Sequence, residues 1–392
     1  MTIAIQTQSE TAEQPDFSKV HLVHVVRQYV PSVGGLEDVV RNLTALQKGR
    51  FASLKVVTLN RLFKEPDIEL PAREVIDGVD VHRIPFRGST RYPLAPRVLA
   101  ELGGANLVHV HAVDFFFDAL ALARPWHGRR LVATTHGGFF HTRKHAALKT
   151  VWFNTLTRFS ASRYGALACC SESDFRQFRK IAPERACLIE NGVDIAKFRA
   201  AASEKPVRRL LTLGRFSANK RPDRSIELLA ALRAQDPDWM LDIAGMESDL
   251  TREDLLARAR ALGVADNLRI HVGLSDGEIR ALMGQCSFFV SASEYEGFGL
   301  ALIEAMSAGL VPVVHPNGAF RALAEKHASI ELADFSRPEQ PAAAIAARLA
   351  ASSRWPDLRN TLIADAEAYS WKSVISRYDA LYRKVLPASA DT

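Results

Sequence analysis

The sequence has 392 residues, of which 47% are hydrophobic and 24% are charged, and these are the proportions of a globular protein with material for two domains. Its net charge of +6 fits phosphorylated ligands or an anionic membrane surface, and we expect no nucleic-acid partner because no nucleic-acid-binding motif accompanies that charge. The four cysteines form no CxxC pair and no stretch reaches 18 apolar residues, which favours a reducing compartment and argues against a membrane-spanning helix.

The N-terminal half predicts a parallel α/β domain over residues 19–195, after a polar leader at 1–18 that we expect to be disordered. The first strand pattern, at 20–26, is followed by Gly34 and Gly35 at the start of a helix. A glycine pair before a helix lets backbone amides approach an anion, and a simple tight turn is the alternative interpretation. Further strands are predicted at 54–59, 79–84, 107–110, 131–135 and 166–171.

Polar residues follow two of these strands. His136 comes directly after the strand at 131–135 and precedes two glycines, so it faces the edge of the sheet where α/β folds bind ligands. A turn histidine is the alternative, and for His141 the two interpretations are balanced. Ser171 either contacts a ligand or, together with Ser173, caps the helix that follows.

A basic and aromatic segment lies at 143–160. Arg143, Lys144 and Lys149 crowd its start, and its apolar residues share one helical face. These apolar residues are Leu148, Val151, Trp152, Leu156 and Phe159. Such a helix either packs in the core with a solvated basic end or lies on an anionic membrane.

The C-terminal half begins with a charged stretch, 196–208, which lacks apolar periodicity and predicts an interdomain linker. A second series of strand and helix patterns at 209–370 predicts another α/β domain. The last segment, 371–392, opens with a helix whose continuous apolar face we expect to pack on the first domain.

Two loops of this half carry charged residues of interest. Arg215 and Lys220 lie between a strand and a helix N-terminus, where a planar guanidinium and a point-charge ammonium can hold a diphosphate. A solvated basic loop is the alternative. Asp236 and Asp238 resemble an acidic metal-binding triplet, but they precede a strand, at the wrong edge of a sheet, and Pro237 suits a plain turn.

The clearest pattern is a strand, a glycine turn and a helix between Ser287 and Gly309. Glu296 lies in the turn, where a first-turn charge favoured by the helix dipole is the plain interpretation. Glu304 lies among apolar helix residues, where an unpaired carboxylate is costly, and a bound polyol would give it a partner.

Taken in order, these motifs resemble those of the retaining glycosyltransferases of family 4. They are Gly34-Gly35, His136-Gly-Gly, Glu190-Asn-Gly-Val-Asp194, Gly214-Arg215 with Lys220, and Glu296 with Glu304. The resemblance implies the GT-B fold, an α/β architecture of two Rossmann-like domains whose parallel sheets face each other across a cleft. It also implies a C-terminal helix that crosses back to the N-domain.

The resemblance further implies residue roles. The donor diphosphate would be held by Gly35, Arg215 and Lys220, and the ribose by Glu304. His136 and Glu296 would contact the transferred sugar. Ser171 joins the candidate catalytic residues, and four residues complete the donor site: Gly297, Phe298, Gly299 and Leu300. The resemblance implies no metal or other cofactor.

More narrowly, residues 135–142 with Trp152 and Phe153 resemble the α-mannosyltransferases of acetan and xanthan exopolysaccharide assembly. That subgroup moves mannose from GDP-mannose to a polyprenyl-diphosphate-linked cellobiose, which implies a peripheral enzyme at the cytoplasmic face of the inner membrane. Arg143, Lys144, Lys149 and Trp152 are the candidate membrane contacts. A UDP-glucose or UDP-hexosamine donor, or a nucleotide-sugar epimerase of the same fold, remains an alternative. A periplasmic binding protein would need a secretion signal, which we do not find.

Overall fold

The computed structural model of the protein describes residues 16–32, 34–137 and 150–387. It divides into two compact units. The first comprises the chain up to Ala168, Phe178–Cys187 and the chain from Ile375 onward, and the second comprises Cys169–Gln177 and Leu188–Val374. The predicted leader at 1–15, His141, and the basic residues Arg143, Lys144 and Lys149 lie outside the described residues.

The first unit contains an eight-stranded sheet in the order β10-β9-β8-β7-β1-β2-β4-β3, and a two-stranded hairpin formed by β5 and β6. The strands are β1 (Phe17–Val26), β2 (Phe51–Leu59), β3 (Arg73–Ile76), β4 (Val79–Ile84), β5 (Arg87–Ser89), β6 (Tyr92–Leu94), β7 (Leu107–His111), β8 (Arg130–Thr134), β9 (Ala166–Cys169) and β10 (Ala186–Leu188). The α-helices that begin before residue 180 are α1 (Gly35–Gln47), α2 (Phe115–His127), α3 (Arg158–Ala161) and α4 (Glu172–Ile181). A 3-10 helix spans Pro96–Leu102, and a π-helical turn at Phe153–Thr157 leads into α3.

The second unit contains a six-stranded sheet in the order β13-β12-β11-β14-β15-β16, in which every neighbouring pair is parallel. The strands are β11 (Arg209–Leu213), β12 (Met240–Gly245), β13 (Leu268–Val272), β14 (Phe288–Ser291), β15 (Val311–Val314) and β16 (Glu331–Leu332). The helices are α5 (Pro222–Arg233), α6 (Arg252–Ala261), α7 (Asp276–Met283), α8 (Leu300–Ala308), α9 (Gly318–Ala324), α10 (Glu339–Ala350) and α11 (Trp355–Ala366). Short 3-10 turns lie at Ala265–Asn267, Ser352–Arg354 and Glu367–Tyr369.

Parallel strands covered by helices on both faces are buried on both faces, which explains the continuous apolar runs in the sequence. All residues of β7, β14 and β15 are buried. In the first sheet β1 pairs with β2 on one side and with β7 on the other, and in the second β11 pairs with β12 and β14. Each sheet therefore has a point where the strand order reverses, and ligands bind at such points in α/β proteins.

The last helix, α12 (Trp371–Val385), begins in the second unit and belongs to the first from Ile375 onward. This agrees with the predicted return of the C-terminal helix. Tyr382 is fully buried against the first sheet, and Asp379 forms an ion pair with Arg50 at 2.6 Å.

Two predicted boundaries differ from the structure. The stretch 196–208, predicted to be a linker, lies inside the second unit, because Phe198 and Ala202 are buried in its core and backbone hydrogen bonds tie the stretch to α8. The first strand begins at Phe17 rather than after residue 18, since the ring of Phe17 stacks on Phe51 at 4.8 Å.

No helix among the described residues is long and apolar enough to cross a bilayer.

Candidate active site

The loops after β11 and β14 meet at the carboxyl edge of the second sheet. The β11 loop approaches β12 closely: Gly214 N–H donates to the Ala244 carbonyl at 3.0 Å. A Cβ on Gly245 would lie only 1.8 Å from the Gly214 carbonyl oxygen, so glycine is required at Gly245. The β14 loop is bound to the same segment, because Glu294 N–H donates to the Asn219 carbonyl at 2.9 Å. The two loops therefore form one polar surface.

Lys220 and Glu296, predicted to bind the diphosphate and the sugar, contact each other in the structure. Lys220 Nζ donates to Glu296 Oε1 at 2.7 Å, and both side chains are only partly exposed. The positive charge of Lys220 and the negative charge of Glu296 thus neutralise each other at the ligand edge. A bound diphosphate would offer Lys220 a second anionic partner, so this pair is the part of the site best able to respond to a ligand.

Arg215 differs from its basic neighbours. Its exposed guanidinium has no ion-pair or hydrogen-bond partner among the described residues. Arg221 in contrast donates to Asp223 and to Glu294, at 2.7 and 2.8 Å, and Arg224 lies 3.3 Å from Glu294. Arg215 is thus the residue of this loop that is available to an incoming phosphate.

Glu304, for which a bound polyol was the expected partner, also has a partner within the protein. Its carboxylate lies 2.9 Å from Lys197 Nζ. Burial raises the pKa of Glu304 despite Lys197, and the carboxylates of Asp276 and Asp194 add to that rise. Burial opposes the charge on Lys197, but Glu304 and Asp276 outweigh it and raise its pKa. A ligand hydroxyl that donates to Glu304 would therefore relieve a crowded acidic cluster.

Helix α8 presents uncapped backbone amides. Its N-cap is Gly299, in the left-handed region at φ 100°, and no side chain caps the helix. A Cβ at Gly299 would also be crowded, at 3.1 Å from Phe320. Both the backbone conformation and the limited space therefore favour glycine at this turn. The Phe298 ring packs at 5.7 Å from Tyr369, and Gly297 has open space around it. The amides of Leu300 and Ala301 can receive an anion, whereas those of Leu302 and Ile303 donate to the Gly299 carbonyl.

Helix α1 of the first unit begins in the same way. It starts at Gly35, with Gly34 as an extended N-cap and no side-chain cap. A Cβ on Gly35 would meet nothing within 4 Å, which leaves the amide approachable. Acidic Glu37 and Asp38 occupy the first turn, and they weaken the attraction of this helix end for an anion.

His136 lies at the carboxyl end of β8, as the sequence predicted, two residues after Thr134, where the strand ends. It adopts a left-handed backbone conformation at φ 51°, which is uncommon for a residue with a side chain. Its Nε2 lies 3.0 Å from His111 Nδ1. Burial lowers the pKa of His136 to about 3, and the charge of Arg27 contributes to the decrease. His136 is therefore a neutral hydrogen-bonding group rather than a cation.

Ser171 serves as a helix cap. Its Oγ accepts from the Asp174 N–H at 3.2 Å, and its carbonyl accepts from the Phe175 N–H at 2.9 Å. Ser173, the other predicted cap, is exposed. Of the two predicted roles for Ser171, the structure supplies the partner for capping.

The motif Glu190-Asn-Gly-Val-Asp194 forms a turn within the second unit. Glu190 is paired with Lys326 at 2.9 Å, and a Cβ on Gly192 would lie 2.4 Å from the Trp371 ring. The glycine thus permits close packing. Asn191 Oδ1 is buried without a hydrogen-bond partner among the described residues.

Sequence reasoning missed several polar residues of the first unit. His24, His109 and His111 are fully buried side by side on β1 and β7, although the sequence shows them only as isolated histidines inside apolar strand runs. Arg27 and Asp114 follow these two strands at the ligand edge. Burial raises the pKa of Asp114 to about 7 despite Arg27, and its Oδ2 has no hydrogen-bond partner among the described residues. The sequence feature that could have revealed this cluster is the presence of histidines inside apolar strand patterns.

The described part of the predicted membrane segment is a helix over 150–161 that contains the π-helical turn. Its predicted apolar face lies outward: Val151 is 60%, Trp152 39% and Phe159 43% exposed, whereas Phe153 is buried. The helix still packs in the core, through Phe153, Thr157 and Ser160, so only the predicted packing face is wrong and both interpretations of the segment stay open. Trp152 also touches Tyr92 edge-on, at 6.0 Å between ring centroids.

The acidic pair Asp236 and Asp238 has a structural role. Asp236 lies 2.6 Å from the Arg208 guanidinium and accepts from the Asp238 N–H at 3.0 Å. The turn before β12 is thereby tied to Arg208, the residue directly before the neighbouring strand β11.

Comparison with known proteins places both halves of the chain in the same group of enzymes. Residues 33–197 match the family Glycosyltransferase Family 4, and residues 194–368 match Glycosyl transferases group 1. The chain is 45% identical over 372 residues to the GDP-mannose:cellobiosyl-diphosphopolyprenol alpha-mannosyltransferase of Komagataeibacter xylinus, with 93% of each chain covered. It is 40% identical over 368 residues to the enzyme of the same name from Xanthomonas campestris, covering 93% of this chain and 97% of the relative.

Solved structures show the same fold at low sequence identity. A glycosyltransferase from Rickettsia africae has a TM-score of 0.70 at 16% identity, covering 95% of this chain and all of the other. Sucrose-phosphate synthase from Thermosynechococcus elongatus has a TM-score of 0.67 at 18% identity, with 93% and 99% covered. The chain belongs to the family 4 glycosyltransferases, and its two α/β units are those of the GT-B fold.

Proposed function

We propose that this enzyme transfers α-mannose from GDP-mannose to a polyprenyl-diphosphate-linked cellobiose during bacterial exopolysaccharide assembly, such as that of acetan. The observation that carries the proposal is the 45% identity to a full-length relative of that name. A second relative of the same name at 40% identity supports it.

The second unit supplies the donor contacts in this proposal. Arg215, which has no hydrogen-bond partner or close ion pair among the described residues, and Lys220 hold the diphosphate, together with the uncapped amides at the start of α8. Lys220 exchanges Glu296 for the phosphate, and Glu296 is then released to accept from sugar hydroxyls. Glu304 accepts from the ribose hydroxyls. Gly35 of the first unit adds a backbone amide to the diphosphate.

The chemistry that fits these residues is a front-face displacement with retention. The bond between the anomeric carbon and the phosphate oxygen breaks, and its electron pair leaves with the diphosphate. The acceptor hydroxyl forms the new bond to that carbon and gives its proton to the leaving phosphate oxygen. Arg215 and Lys220 stabilise the charge that develops on the diphosphate, while His136 holds the sugar. A double displacement would need a carboxylate nucleophile, for which Glu296 is the candidate.

A donor screen against a polyprenyl-diphosphate-linked cellobiose tests the proposal. We expect turnover with GDP-mannose and an α-linked product, read from the anomeric carbon–proton coupling by NMR. Turnover only with UDP-glucose or a UDP-hexosamine would replace the proposed donor. Conversion of the donor without any acceptor would indicate an epimerase, and a sugar ester trapped on Glu296 would exclude the front-face route.

The acceptor is anchored in a membrane, so we further propose that the enzyme docks peripherally at the cytoplasmic face of the inner membrane. The exposed Val151, Trp152 and Phe159 would lie at the lipid surface. Arg143, Lys144 and Lys149 would contact anionic headgroups, at about 1 kcal/mol for each basic residue near the surface.

Co-sedimentation with vesicles of phosphatidylglycerol and phosphatidylcholine tests this surface. We expect binding that weakens with salt and is lost in the double variant Lys144→Glu plus Lys149→Glu. The matched control is Arg252→Glu plus Arg260→Glu, the same charge change at two exposed positions of α6 in the second unit. Equal binding by the two double variants would show that segment 143–160 does not dock the membrane.

A further inference from the structure

A row of buried side chains leads from α1 to His136 through the first sheet. Gln47 Oε1 lies 2.8 Å from His24 Nε2, and His24 Nδ1 lies 2.8 Å from His111 Nε2. His111 Nδ1 in turn lies 3.0 Å from His136 Nε2. We call these residues, Gln47, His24, His111 and His136, the histidine chain. It joins the end of α1 to the ligand edge through three consecutive hydrogen bonds.

The imidazoles of this chain are uncharged. Burial lowers the pKa of His24 to about 4 despite the hydrogen bond to Gln47, and it lowers the pKa of His111 well below its ordinary value. Burial and then Arg27 lower the pKa of His136 to about 3. A neutral imidazole has one N–H and one bare nitrogen, so each ring of the chain donates one hydrogen bond and accepts the other.

The amide of Gln47 then fixes the direction of every bond. Its Oε1 can only accept, so His24 donates from Nε2 and must accept at Nδ1 from His111 Nε2–H. His111 is left with a bare Nδ1, which accepts from His136 Nε2–H. His136 is therefore left with a bare Nδ1. Among the described residues this nitrogen has no hydrogen-bond partner.

A second branch of hydrogen bonds holds Gln47 in that orientation. Gln47 Nε2 donates to Tyr382 Oη at 3.0 Å, and Tyr382 Oη lies 2.8 Å from His109 Nδ1. His109 Nε2 lies 2.8 Å from Thr134 Oγ1, which lies 3.1 Å from Tyr378 Oη. Because the amide nitrogen of Gln47 donates to it, the tyrosine hydroxyl accepts there and gives its own proton to His109 Nδ1. A single placement of the hydrogen atoms satisfies the hydrogen bonds of both branches.

A metal ion is the other ligand that three close imidazoles suggest. One ring nitrogen from each of His24, His109 and His111 lies within 4.8 Å of the others. Both nitrogens of all three rings are, however, already engaged in hydrogen bonds at 2.8 to 3.0 Å. A metal would take lone pairs that these bonds use, so the geometry favours the hydrogen-bonded chain.

We propose that the histidine chain holds His136 as its Nε2–H tautomer, so that bare Nδ1 at the ligand edge accepts a hydrogen bond from a hydroxyl of the transferred sugar. Gln47, His24 and His111 are then positioning residues, which act through His136 without touching the substrate. The tautomer follows from the chain alone, whereas its effect on turnover rests on the proposed function. This assigns a hydrogen-bond polarity to the sugar contact: the sugar donates and the protein accepts.

NMR of the full-length protein labelled with 15N in histidine tests the tautomer without any substrate. The His136 signals are assigned by their loss in His136→Asn. We expect a protonated Nε2 and a bare Nδ1 in His136, unchanged between pH 5.5 and 7.5. A protonated Nδ1, or a second proton taken up in that range, would overturn the proposal, as would one bound metal ion per chain in elemental analysis of the purified protein.

Substitution at the far end of the chain tests the effect on turnover. Gln47→Met keeps the length of the side chain but removes the acceptor, so we expect mixed tautomers at His136 and a kcat lowered about tenfold. The KM for GDP-mannose should stay within about twofold because no substrate contact is lost. The control, Tyr164→Phe, removes a buried hydroxyl that donates to the Phe117 carbonyl outside both branches, and it should leave the His136 tautomer unchanged.

The outcomes distinguish the proposed tautomer of His136 from its proposed effect on turnover. If Gln47→Met is folded and its His136 tautomer or its kcat equals that of Tyr164→Phe, the chain does not position His136. If Gln47→Met does not fold, the NMR of the unaltered protein still decides the tautomer. If GDP-mannose is not turned over at all, the donor screen fails while the NMR result stands, so the two failures are distinguishable.

Discussion

At the ligand edges of the two sheets, the cost of charge on polar side chains is avoided in different ways. In the first unit, buried imidazoles are uncharged and share hydrogen bonds, as between His24 and His111 at 2.8 Å. In the second unit, partly exposed charges form ion pairs, Lys220 with Glu296 at 2.7 Å and Lys197 with Glu304 at 2.9 Å. The difference follows from burial, since fully buried charges are costly and partly exposed ones are not.

The comparison indicates that the two ligand edges suit different functions. A neutral chain has one arrangement of donors and acceptors, so it suits a contact that must be oriented. An ion pair at a partly exposed edge can exchange one partner for another, so it suits the arrival of a charged ligand. We therefore expect the first unit to orient a sugar and the second to capture a diphosphate. The predictions below test that division.

The largest effect is expected at Glu296. Glu296→Gln keeps the shape of the side chain but removes the charge that receives the sugar hydroxyls, so we expect kcat to fall by roughly 100- to 1,000-fold, the range for loss of one transition-state contact. Affinity for free GDP, measured by calorimetry, should stay within about threefold, because Lys220 then has no competing partner.

Two neighbours serve as controls for Glu296. Glu294→Gln removes a carboxylate of the same loop that is paired with Arg221 and Arg224, and its kcat should stay near that of the unaltered enzyme. Glu304→Gln should chiefly weaken nucleotide binding. A fall in kcat as large in Glu294→Gln as in Glu296→Gln would show that the loop is disturbed as a whole.

The next effect is the acid sensitivity of the first unit. Burial lowers the pKa of His24, His109, His111 and His136, so the unfolded chain binds more protons than the folded chain at any pH between those values and the ordinary 6.5. Stability is therefore full above pH 6.5 and is lost as the pH falls toward 4. From pH 7.5 to 5.5 each imidazole costs about 1.4 kcal/mol.

Asp114 acts in the opposite direction. Burial raises its pKa to about 7, so the folded state binds this proton first and offsets the loss from about one histidine, which leaves a net loss of about 4 kcal/mol. Hydrogen exchange at pH 7.5 and 5.5, corrected for the intrinsic rate, should show β1 and β7 losing protection and β11 and β14 keeping it. Equal losses in both sheets would contradict the assignment of neutral imidazoles to the first unit alone.

The sequence predicted the sheets well because buried parallel strands are continuous apolar runs. Val79–Ile84 was predicted with its observed bounds, and the strand, glycine turn and helix around Glu296 also lie where they were expected. Exposed elements such as β3 and the β5–β6 hairpin were not predicted. Their residues are polar and mostly exposed, so they carry no period that distinguishes a strand from a loop.

Partners distant in the chain could not be predicted. Lys197 lies far from Glu304 in sequence, inside a stretch that has too few apolar residues to show a packing face, and only the fold brings the two together. The histidine chain likewise depends on register, because His24 of β1 is paired with His109 of β7, and His111 follows two positions later on the same face of that strand. A single sequence does not contain that register.

A smaller effect is expected at Lys220. Lys220→Ala removes a charge-assisted hydrogen bond to the diphosphate, on the order of 1.5–3 kcal/mol. Binding of free GDP in calorimetry should then weaken by roughly tenfold to 100-fold. Arg224→Ala, which removes a cation paired with Glu294 nearby, is the control and should bind GDP almost normally. An unchanged affinity in Lys220→Ala would show that the loop is only a solvated surface.

The smallest effect is expected for metal removal, where we predict no change in activity in excess EDTA. A diphosphate donor needs positive charge, and the second unit offers Arg215, Lys220 and the uncapped start of α8 for it. Asp236, the best acidic candidate in the sequence, is engaged by Arg208 at 2.6 Å. The test is the initial rate with and without EDTA, then with added Mg²⁺ or Mn²⁺. A strict requirement for either ion would mean that the cationic side chains of the second unit do not suffice to neutralise the diphosphate. The ligand edge of the second sheet would then depend on a metal ion as well as on exchangeable ion pairs, whereas the ligand edge of the first sheet would remain neutral.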